Sequence, residues 1–311
     1  MKPVCIQQRC APVNPAYVEW PTVTLIALYW LFFLGLTWFY HELSWWIVMP
    51  LGGYIIALFG SLQHEVLHGH PTPQQWLNET MVFPNIALWM PYPIYKTTHL
   101  THHINHQLTD PEEDPESYYI CSEKWQQHSR FTQIYYRFYN TLIGRCLFGP
   151  IHVIVRLWLT ELRNITIGNN NTVRVNAISS WIIHFIACLP VLYWVVEICD
   201  ISFWAYFALF VYPGIALTLL RSFAEHQAVD NAGERSIIVE TNPLLSLMYL
   251  NNNLHALHHE NPHLAWYRLP KVWQNSRDLI LKNNGDYYFS SYLKITRHYW
   301  KSPKEHPRYP L

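Results

Sequence analysis

Lysine and arginine are missing from two long stretches of this 311-residue sequence, residues 10–95 and 175–220. All 21 basic residues therefore lie in the first nine positions, in residues 96–174 or in residues 221–311. Charged residues of either sign make up only 14% of the chain, whereas half of it is hydrophobic. Because soluble domains carry about a quarter of their residues as charges, this composition indicates an integral membrane protein.

Several other signals are absent as well. The six cysteines are scattered and form no C-x-x-C pair, so neither a disulfide framework nor a cysteine zinc site is indicated. The formal net charge is zero and no basic cluster occurs, which argues against a nucleic-acid partner. The first twenty residues contain three prolines and no apolar core, so they are not expected to be a signal peptide.

Four apolar segments approach the roughly 20 residues that a helix needs to cross a bilayer. They form two pairs with short connections, and a long polar insertion, residues 70–176, separates the pairs. The predicted spans are Thr22–Tyr40, Trp45 to about Leu62, Ala177–Ile198 and Ile201–Leu220.

The basic residues predict the orientation, because lysine and arginine near span ends mark the cytoplasmic side. Both termini and the insertion should therefore be cytoplasmic. Two less polar stretches of the insertion, residues 81–95 and 141–159, contain proline or arginine and are interpreted as helices in the membrane interface. The sequence predicts an all-α membrane protein with four transmembrane helices in two hairpins and a cytoplasmic helical cap.

The chain is expected to be one domain, residues 1–311. Its predicted parts are an N-terminal segment (1–20), a first hairpin (21–69), the cytoplasmic insertion (70–176), a second hairpin (177–225) and a cytoplasmic C-terminal part (226–311).

The 18 histidines are unevenly distributed, and four groups stand near the predicted cytoplasmic surface. HEVLH lies at the end of the second span, HLTHH in the insertion and HALHH in the C-terminal part, while RSFAEHQ follows the fourth span. They contribute His64 and His68; His99, His102 and His103; His255, His258 and His259; and His226.

Residues at i, i+3 and i+4 share one face of a helix, so each group presents its imidazoles to one point. Nine imidazoles exceed the roughly three protein ligands of a catalytic zinc. They suit two metal ions with four or five ligands each. Since imidazole binds several transition metals, ligand type alone does not choose the metal.

HEVLH taken alone also matches the zinc-protease pattern H-E-x-x-H, with Glu65 as general base. That alternative requires a third ligand, and no LDG motif supplies one. It would also leave both HxxHH boxes unexplained. A metal transporter or sensor is a further alternative, but it would need polar residues that form a pathway within the spans, and only His184 and Glu197 offer any.

The sequence of boxes, HxxxH, then HxxHH, then a distant HxxHH, resembles the membrane-bound fatty acid desaturase and hydroxylase superfamily. The resemblance extends from the first span to about Pro270 and includes the stretch HHENPHLAWYRLP. It implies two non-haem iron ions that use O₂ to attack a C–H bond of a lipid. It supports His226 as a ligand, because members place one at this point. Members also hold a water with an asparagine one turn earlier, where this chain has Ser222.

The same resemblance implies an acyl-chain or lipid substrate and a separate electron donor, either a ferredoxin, a rubredoxin or a protein of the cytochrome b5 type. No HPGG haem motif of a fused cytochrome is present. An acyl-lipid desaturase is the favoured interpretation. A hydroxylase or ketolase acting on a lipid, a carotenoid or an ornithine-lipid head group stays open. The expected location is the inner (plasma) membrane, with the boxes cytoplasmic.

Acidic residues near the boxes are candidates for orienting the ligands. TDPEEDPES follows the second box and offers Asp110 and Asp114, and Glu225 precedes His226. Metal-bound histidines usually donate their second ring N–H to a carboxylate or a carbonyl. Asp110 and Asp114 have the alternative of simply forming a turn, and Glu65 faces away from its neighbouring histidines on a regular helix.

Overall fold

A computed structural model of the chain describes residues 14–104, 107–167 and 171–311. In this part, the α-helices are α1 (Trp20–Trp38), α2 (Trp45–Leu67), α3 (Gln75–Met81), α4 (Tyr92–Ile104), α5 (Ser122–Gln127), α6 (Arg130–Tyr139), α7 (Leu142–Thr166), α8 (Asn171–Leu192), α9 (Phe203–Tyr206), α10 (Tyr212–Glu225), α11 (Pro243–Met248), α12 (His255–Glu260), α13 (Leu269–Asn283) and α14 (Tyr292–Tyr299).

Shorter elements complete this description. A π-helix continues α8 and another joins α9 to α10, at Tyr193–Ile198 and Phe207–Val211. Three 3-10 helices occur at Tyr40–Glu42, Ala232–Arg235 and Trp266–Arg268. Strand β1 (Ile238–Val239) pairs in parallel with β2 (Tyr288–Phe289).

Five helices of the described residues are long and apolar enough to cross a membrane. Four of them, Trp20–Trp38, Trp45–Leu67, Asn171–Ile198 and Phe203–Glu225, coincide with the predicted spans. The fifth, α7, includes the stretch that the sequence analysis assigns to the interface. By length and composition alone α7 qualifies as a span, so a total of four spans stays a prediction.

The predicted spans end in tight connections, as expected. Pro21 stands in the first turn of α1, where its missing N–H costs nothing. A 3-10 turn links α1 to α2, and Cys199 ends the π-helix before α9. The His41 ring joins the two connections, because its Nε2 lies 3.0 Å from the carbonyl oxygen of Cys199.

The chain forms two compact units. In the described part, the helical unit comprises residues 14–97 and 149–218, and the histidine unit comprises residues 98–148 and 219–311.

In the helical unit, α2 packs closely against the segment that leads into α10. A Cβ atom added to Gly214 would lie 2.3 Å from Cβ of Ile56, and one added to Gly52 would lie 2.7 Å from the carbonyl oxygen of Leu209. Small residues at helix contacts allow this close approach, which provides van der Waals stabilisation between membrane helices.

We expect Gly214→Ala to lower the free energy of unfolding by about 1–3 kcal/mol, because the new methyl group overpacks this contact. Gly60→Ala is the matched control, since nothing lies within 4 Å of the added Cβ atom. Thermal unfolding in detergent compares the two variants. Equal unfolding temperatures would contradict the close packing.

The prediction of a helix over residues 81–95 is wrong for residues 82–91, which form an irregular loop between α3 and α4. Asn85 explains the loop, because its side chain bonds the N–H of Leu88 and the carbonyl oxygen of Met90. The backbone N–H of Asn85 donates to the carbonyl oxygen of Ala187 at 3.0 Å. Non-helical backbone is tolerated inside a membrane protein only when such partners satisfy it.

The core of the histidine unit is apolar and forms around β1, α12 and α13. It consists mainly of Ile238, Leu254, Leu257, Leu269, Trp273 and Ile280. This core supports the short helix that carries the third histidine box.

Candidate metal centre

The third box, HALHH, is the first five residues of α12. The N–H of Ala256 donates to the carbonyl oxygen of Ile237 at 2.9 Å, which ties the helix to the residue before β1. His255 and His258 are buried, and His259 is half-buried. A six-residue helix is too short to be stable alone, so tertiary contacts position these three rings.

The second box, HLTHH, lies on the last turns of α4, as predicted. The ring of His102 has its Nδ1 atom 2.8 Å from Oδ1 of Asp114, and the ring of His99 has its Nδ1 atom 2.9 Å from Oε1 of Glu116. Ionised carboxylates only accept hydrogen bonds. Both Nδ1 atoms therefore carry a proton, and in the neutral form of each ring the lone pair lies on Nε2.

His226 follows directly after α10, which ends at Glu225. Its backbone forms an isolated antiparallel bridge with Ser236, and the N–H of Gln227 donates to the carbonyl oxygen of Arg235. The His226 ring has Nδ1 at 3.2 Å from the Ser236 hydroxyl oxygen. The segment at Arg235 and Ser236 thus positions His226, which lies outside the three histidine boxes.

His102, His226, His255 and His259 form a cluster that we call the four-histidine group. Each offers one ring nitrogen, and these nitrogens all lie within 4.8 Å of one another. The Nε2 of His226 is 3.1 Å from that of His102 and 2.9 Å from that of His255, and the Nε2 of His259 is 3.1 Å from that of His255. The Nδ1 of His255 lies 3.0 Å from Oδ1 of Asn252.

His99, His103 and His258 form the three-histidine group. The Nε2 of His103 is 3.0 Å from that of His99 and 3.0 Å from that of His258. Seven of the nine predicted ligands thus converge within the histidine unit.

The first box lies in the helical unit. His64 belongs to the last turn of α2, and His68 is the residue that caps this helix. Both side chains are buried, and their ring centroids are 4.8 Å apart. The two rings are therefore neighbours, as the i, i+4 spacing predicts. Glu65, between them in sequence, is also buried.

The donor set fits metal ions. Where Nδ1 is the protonated nitrogen, as in His99, His102 and His255, the lone pair of Nε2 points at another histidine nitrogen about 3 Å away. Two ring nitrogens at this distance are bridged either by a proton of one ring or by a metal cation that binds both. Two imidazoles bound at about 2.1 Å to one metal and at a right angle have nitrogens on the order of 3 Å apart.

Within the four-histidine group, the electrostatics of His102 differ from those of the other three histidines. Burial first, and neighbouring histidines second, hold the pKa values of His226, His255 and His259 well below the usual range. Burial also acts to lower the pKa of His102, but carboxylates, first among them that of Glu116, outweigh it and raise the pKa to about 8. A metal cation in this place would compensate the negative charge that otherwise attracts a proton.

Asp114 and Asp110, both in the acidic run after the second box, make different contacts. Asp114 is buried, and besides the His102 ring it binds the N–H of Thr109 through Oδ2 at 2.8 Å. Asp110 is only half-buried and binds the backbone N–H groups of Glu112 and Glu113. The contacts of Asp114 are those of a ligand-orienting carboxylate, and the contacts of Asp110 are those of a turn.

The other two candidates near the fourth span lie on α10. Oε1 of Glu225 is 2.8 Å from Nε of Arg221 and 3.6 Å from Nδ1 of His255. The Ser222 hydroxyl donates to the carbonyl oxygen of Leu219 in the same helix, at 3.5 Å. Glu225 therefore contacts a member of the four-histidine group, and Ser222 bonds within its own helix.

Three partners of the histidines were not predicted from the sequence: Glu116, Asn252 and Ser236. Glu116 lies in the acidic run already chosen as the source of orienting carboxylates, and Asn252 stands three residues before His255. The residue type and sequence position of Glu116 and Asn252 could therefore have suggested them as hydrogen-bond partners of the histidines. Ser236 carried no such signal, because only the folded chain brings it to His226.

Residues 43–292 match the family model described as fatty acid desaturase. This stretch is most of the chain and contains all nine histidines of the boxes and of the fourth group. The chain belongs to the fatty acid desaturase family. A comparison with curated proteins gives no match. Membership confirms the resemblance, and it indicates a membrane oxidoreductase that acts on lipids.

Proposed function

We propose that this member of the fatty acid desaturase family is a di-iron, O₂-dependent enzyme that desaturates an acyl lipid. The observation that carries the proposal is the convergence of ring Nε2 atoms, about 3 Å apart, in the four-histidine and three-histidine groups. Family membership supports iron as the metal and a lipid as the substrate.

The proposed ligand sets follow the two groups. His102, His226, His255 and His259 would hold one ion. His99, His103 and His258 would hold the other together with His64 and His68, which are proposed from the family pattern of boxes. When bound, the iron would supply the activation of O₂ that amino-acid side chains cannot provide.

The chain's own residues would fix the ligands. Asp114, Glu116 and Asn252 accept hydrogen bonds from the Nδ1 atoms of His102, His99 and His255, so they select the tautomer that exposes Nε2. Such partners set ring angle and ligand basicity, and their loss typically reduces metal affinity or activity 10- to 100-fold. We assign Asp114 and Glu225 to this supporting role and Asp110 to a turn.

The reaction requires an electron donor. Desaturation removes two hydrogen atoms from adjacent carbons, and O₂ is reduced to two waters with two further electrons and two protons. A separate ferredoxin, rubredoxin or cytochrome of the b5 type is proposed to deliver these electrons. The proposed orientation places the histidine unit and both termini at the cytoplasmic face of the inner (plasma) membrane, where such a donor is available.

The test is lipid mass spectrometry on cells that express the wild type, His258→Ala or His298→Ala at equal membrane levels. His258 belongs to the three-histidine group, and His298 is an exposed histidine on α14 and serves as the matched control. We expect a lipid lighter than its parent by two hydrogen atoms in the wild type and in the control. His258→Ala should not produce it.

Each other outcome has a defined meaning. A histidine-dependent lipid heavier by one oxygen atom would establish a hydroxylase of the same family. Identical lipids in wild type and His258→Ala, in a host supplied with the donor protein, would contradict the acyl-lipid function.

A further inference from the structure

The last residues of the chain form a strap across the histidine unit, which we define as residues 303–309. The N–H of Lys304 donates to the carbonyl oxygen of Asn140 at 2.9 Å. The N–H of Ile120 donates to the carbonyl oxygen of Pro307, and the N–H of Tyr309 donates back to the carbonyl oxygen of Ile120, both at 2.9 Å. These backbone bonds fix the strap at both of its ends.

The strap carries one buried basic side chain, that of Lys304, which is 4% exposed. Its Nζ donates to the backbone carbonyl oxygen of His226, and to the hydroxyl oxygen of Tyr118 at 2.9 Å. The Tyr118 hydroxyl donates to the same His226 oxygen at 3.0 Å. Two side chains from distant parts of the sequence thus converge on one backbone atom.

The position of this atom explains the need for such contacts. The last carbonyl groups of a helix have no partners within the helix, and His226 follows the last residue of α10. The hydroxyl of Tyr287 donates to the carbonyl oxygen of Ala224 at 2.7 Å, and the N–H of Ala228 donates to the hydroxyl oxygen of Tyr119 at 3.0 Å. The chain from 224 to 228 is therefore held by side chains on both sides of His226.

His226 differs from the other members of the four-histidine group in having no neighbouring box residue one helical turn away. Its Nε2 must nevertheless lie about 3 Å from those of His102 and His255. The Nζ of Lys304 also lies 3.4 Å from Oε1 of Glu305. Replacing a buried ion pair by apolar side chains of similar volume is often neutral or stabilising, so packing alone does not explain the lysine.

We infer that Lys304 is a positioning residue of the four-histidine group, and that the C-terminal strap completes this metal site by fixing the backbone of His226. The inference rests on the proposed function, because it concerns the ion that this group would hold. It predicts an effect confined to one of the two ions, since the three-histidine group does not include His226.

The test measures bound iron in purified chains after a wash with a chelator. Lys304→Met keeps an unbranched side chain, one atom shorter, and removes its N–H donors, and Tyr118→Phe removes the other donor to His226. Lys301→Met, at an exposed position three residues earlier, is the matched control. The unfolding temperature of each metal-free variant is recorded in parallel.

We expect the wild type and Lys301→Met to keep about two ions per chain, and Lys304→Met about one, because a lost supporting partner weakens binding roughly 10- to 100-fold. Tyr118→Phe should weaken binding of the same ion to a smaller degree. Metal-free Lys304→Met should still unfold cooperatively.

Two results would overturn the inference. The first is a Lys304→Met chain that keeps both ions under the same wash. The second is loss of both ions together, in proportion to a lower unfolding temperature of the metal-free chain, which is the signature of a purely structural lysine. A wild type that binds no metal would instead refute the proposed function itself.

Discussion

Replacement of Asp114 by asparagine is expected to reduce both iron affinity and product formation by about 10- to 100-fold. Asp114 accepts hydrogen bonds from the His102 ring and from the backbone N–H groups of Thr109 and Glu116. The Asp114 side chain is 1% exposed. A donor that loses its hydrogen bond to Asp114 therefore cannot bind water instead. An asparagine keeps the shape but turns an N–H₂ group towards one of these donors.

Asp110→Asn is the matched control, four residues away in the same acidic run. Asp110 binds two backbone N–H groups of its own turn through one oxygen, and an asparagine oxygen accepts them equally well. Substitutions of this kind change stability by less than about 0.5 kcal/mol. Equal losses in the two variants, measured both as iron retained per chain and as product formed per chain, would show that Asp114 does not orient a ligand.

Removal of both metal ions is expected to lower the unfolding temperature of the whole protein by roughly 15–20 °C. Two ions, each present at about 1,000 times its dissociation constant, stabilise the folded state by about 8 kcal/mol together, and each kcal/mol corresponds to roughly 2 °C in a large domain. The reason lies in the four-histidine group, where buried ring nitrogens lie about 3 Å apart and can bind one ion together.

Calorimetry or intrinsic fluorescence in detergent, before and after chelation, measures this shift. Added iron(II) should restore the original unfolding temperature. In His226→Ala the shift should be smaller, because one of the two ion sites has lost a ligand. If chelation does not change the unfolding temperature of the wild type, the histidines hold no ion that stabilises the fold.

The secondary structure at the histidine boxes was predictable because local spacing determines it. The i, i+4 and i, i+3, i+4 patterns indicate helices, and His64, His102 and His258 lie on helices as expected. The apolar runs likewise predict four of the five long helices. Composition alone did not separate a span from an interfacial helix in α7.

Long-range contacts escaped prediction. His102 and His226 are 124 positions apart, and only the returning segment at Ser236 sets the ring of His226. The loop over 82–91 depends on the side chain of Asn85 and on a carbonyl group of α8, which no local pattern contains. The strap was missed for the same reason, since Lys304 looks like an ordinary surface lysine in sequence.

The central claim is that the nine histidines hold two iron ions, and the most direct measurement is the metal content of the purified wild-type chain. Elemental analysis of protein from iron-supplied cells should give about two iron ions per chain, as expected for nine imidazoles shared between two sites of four or five ligands. A single zinc ion per chain, retained when iron is in excess, would contradict the account.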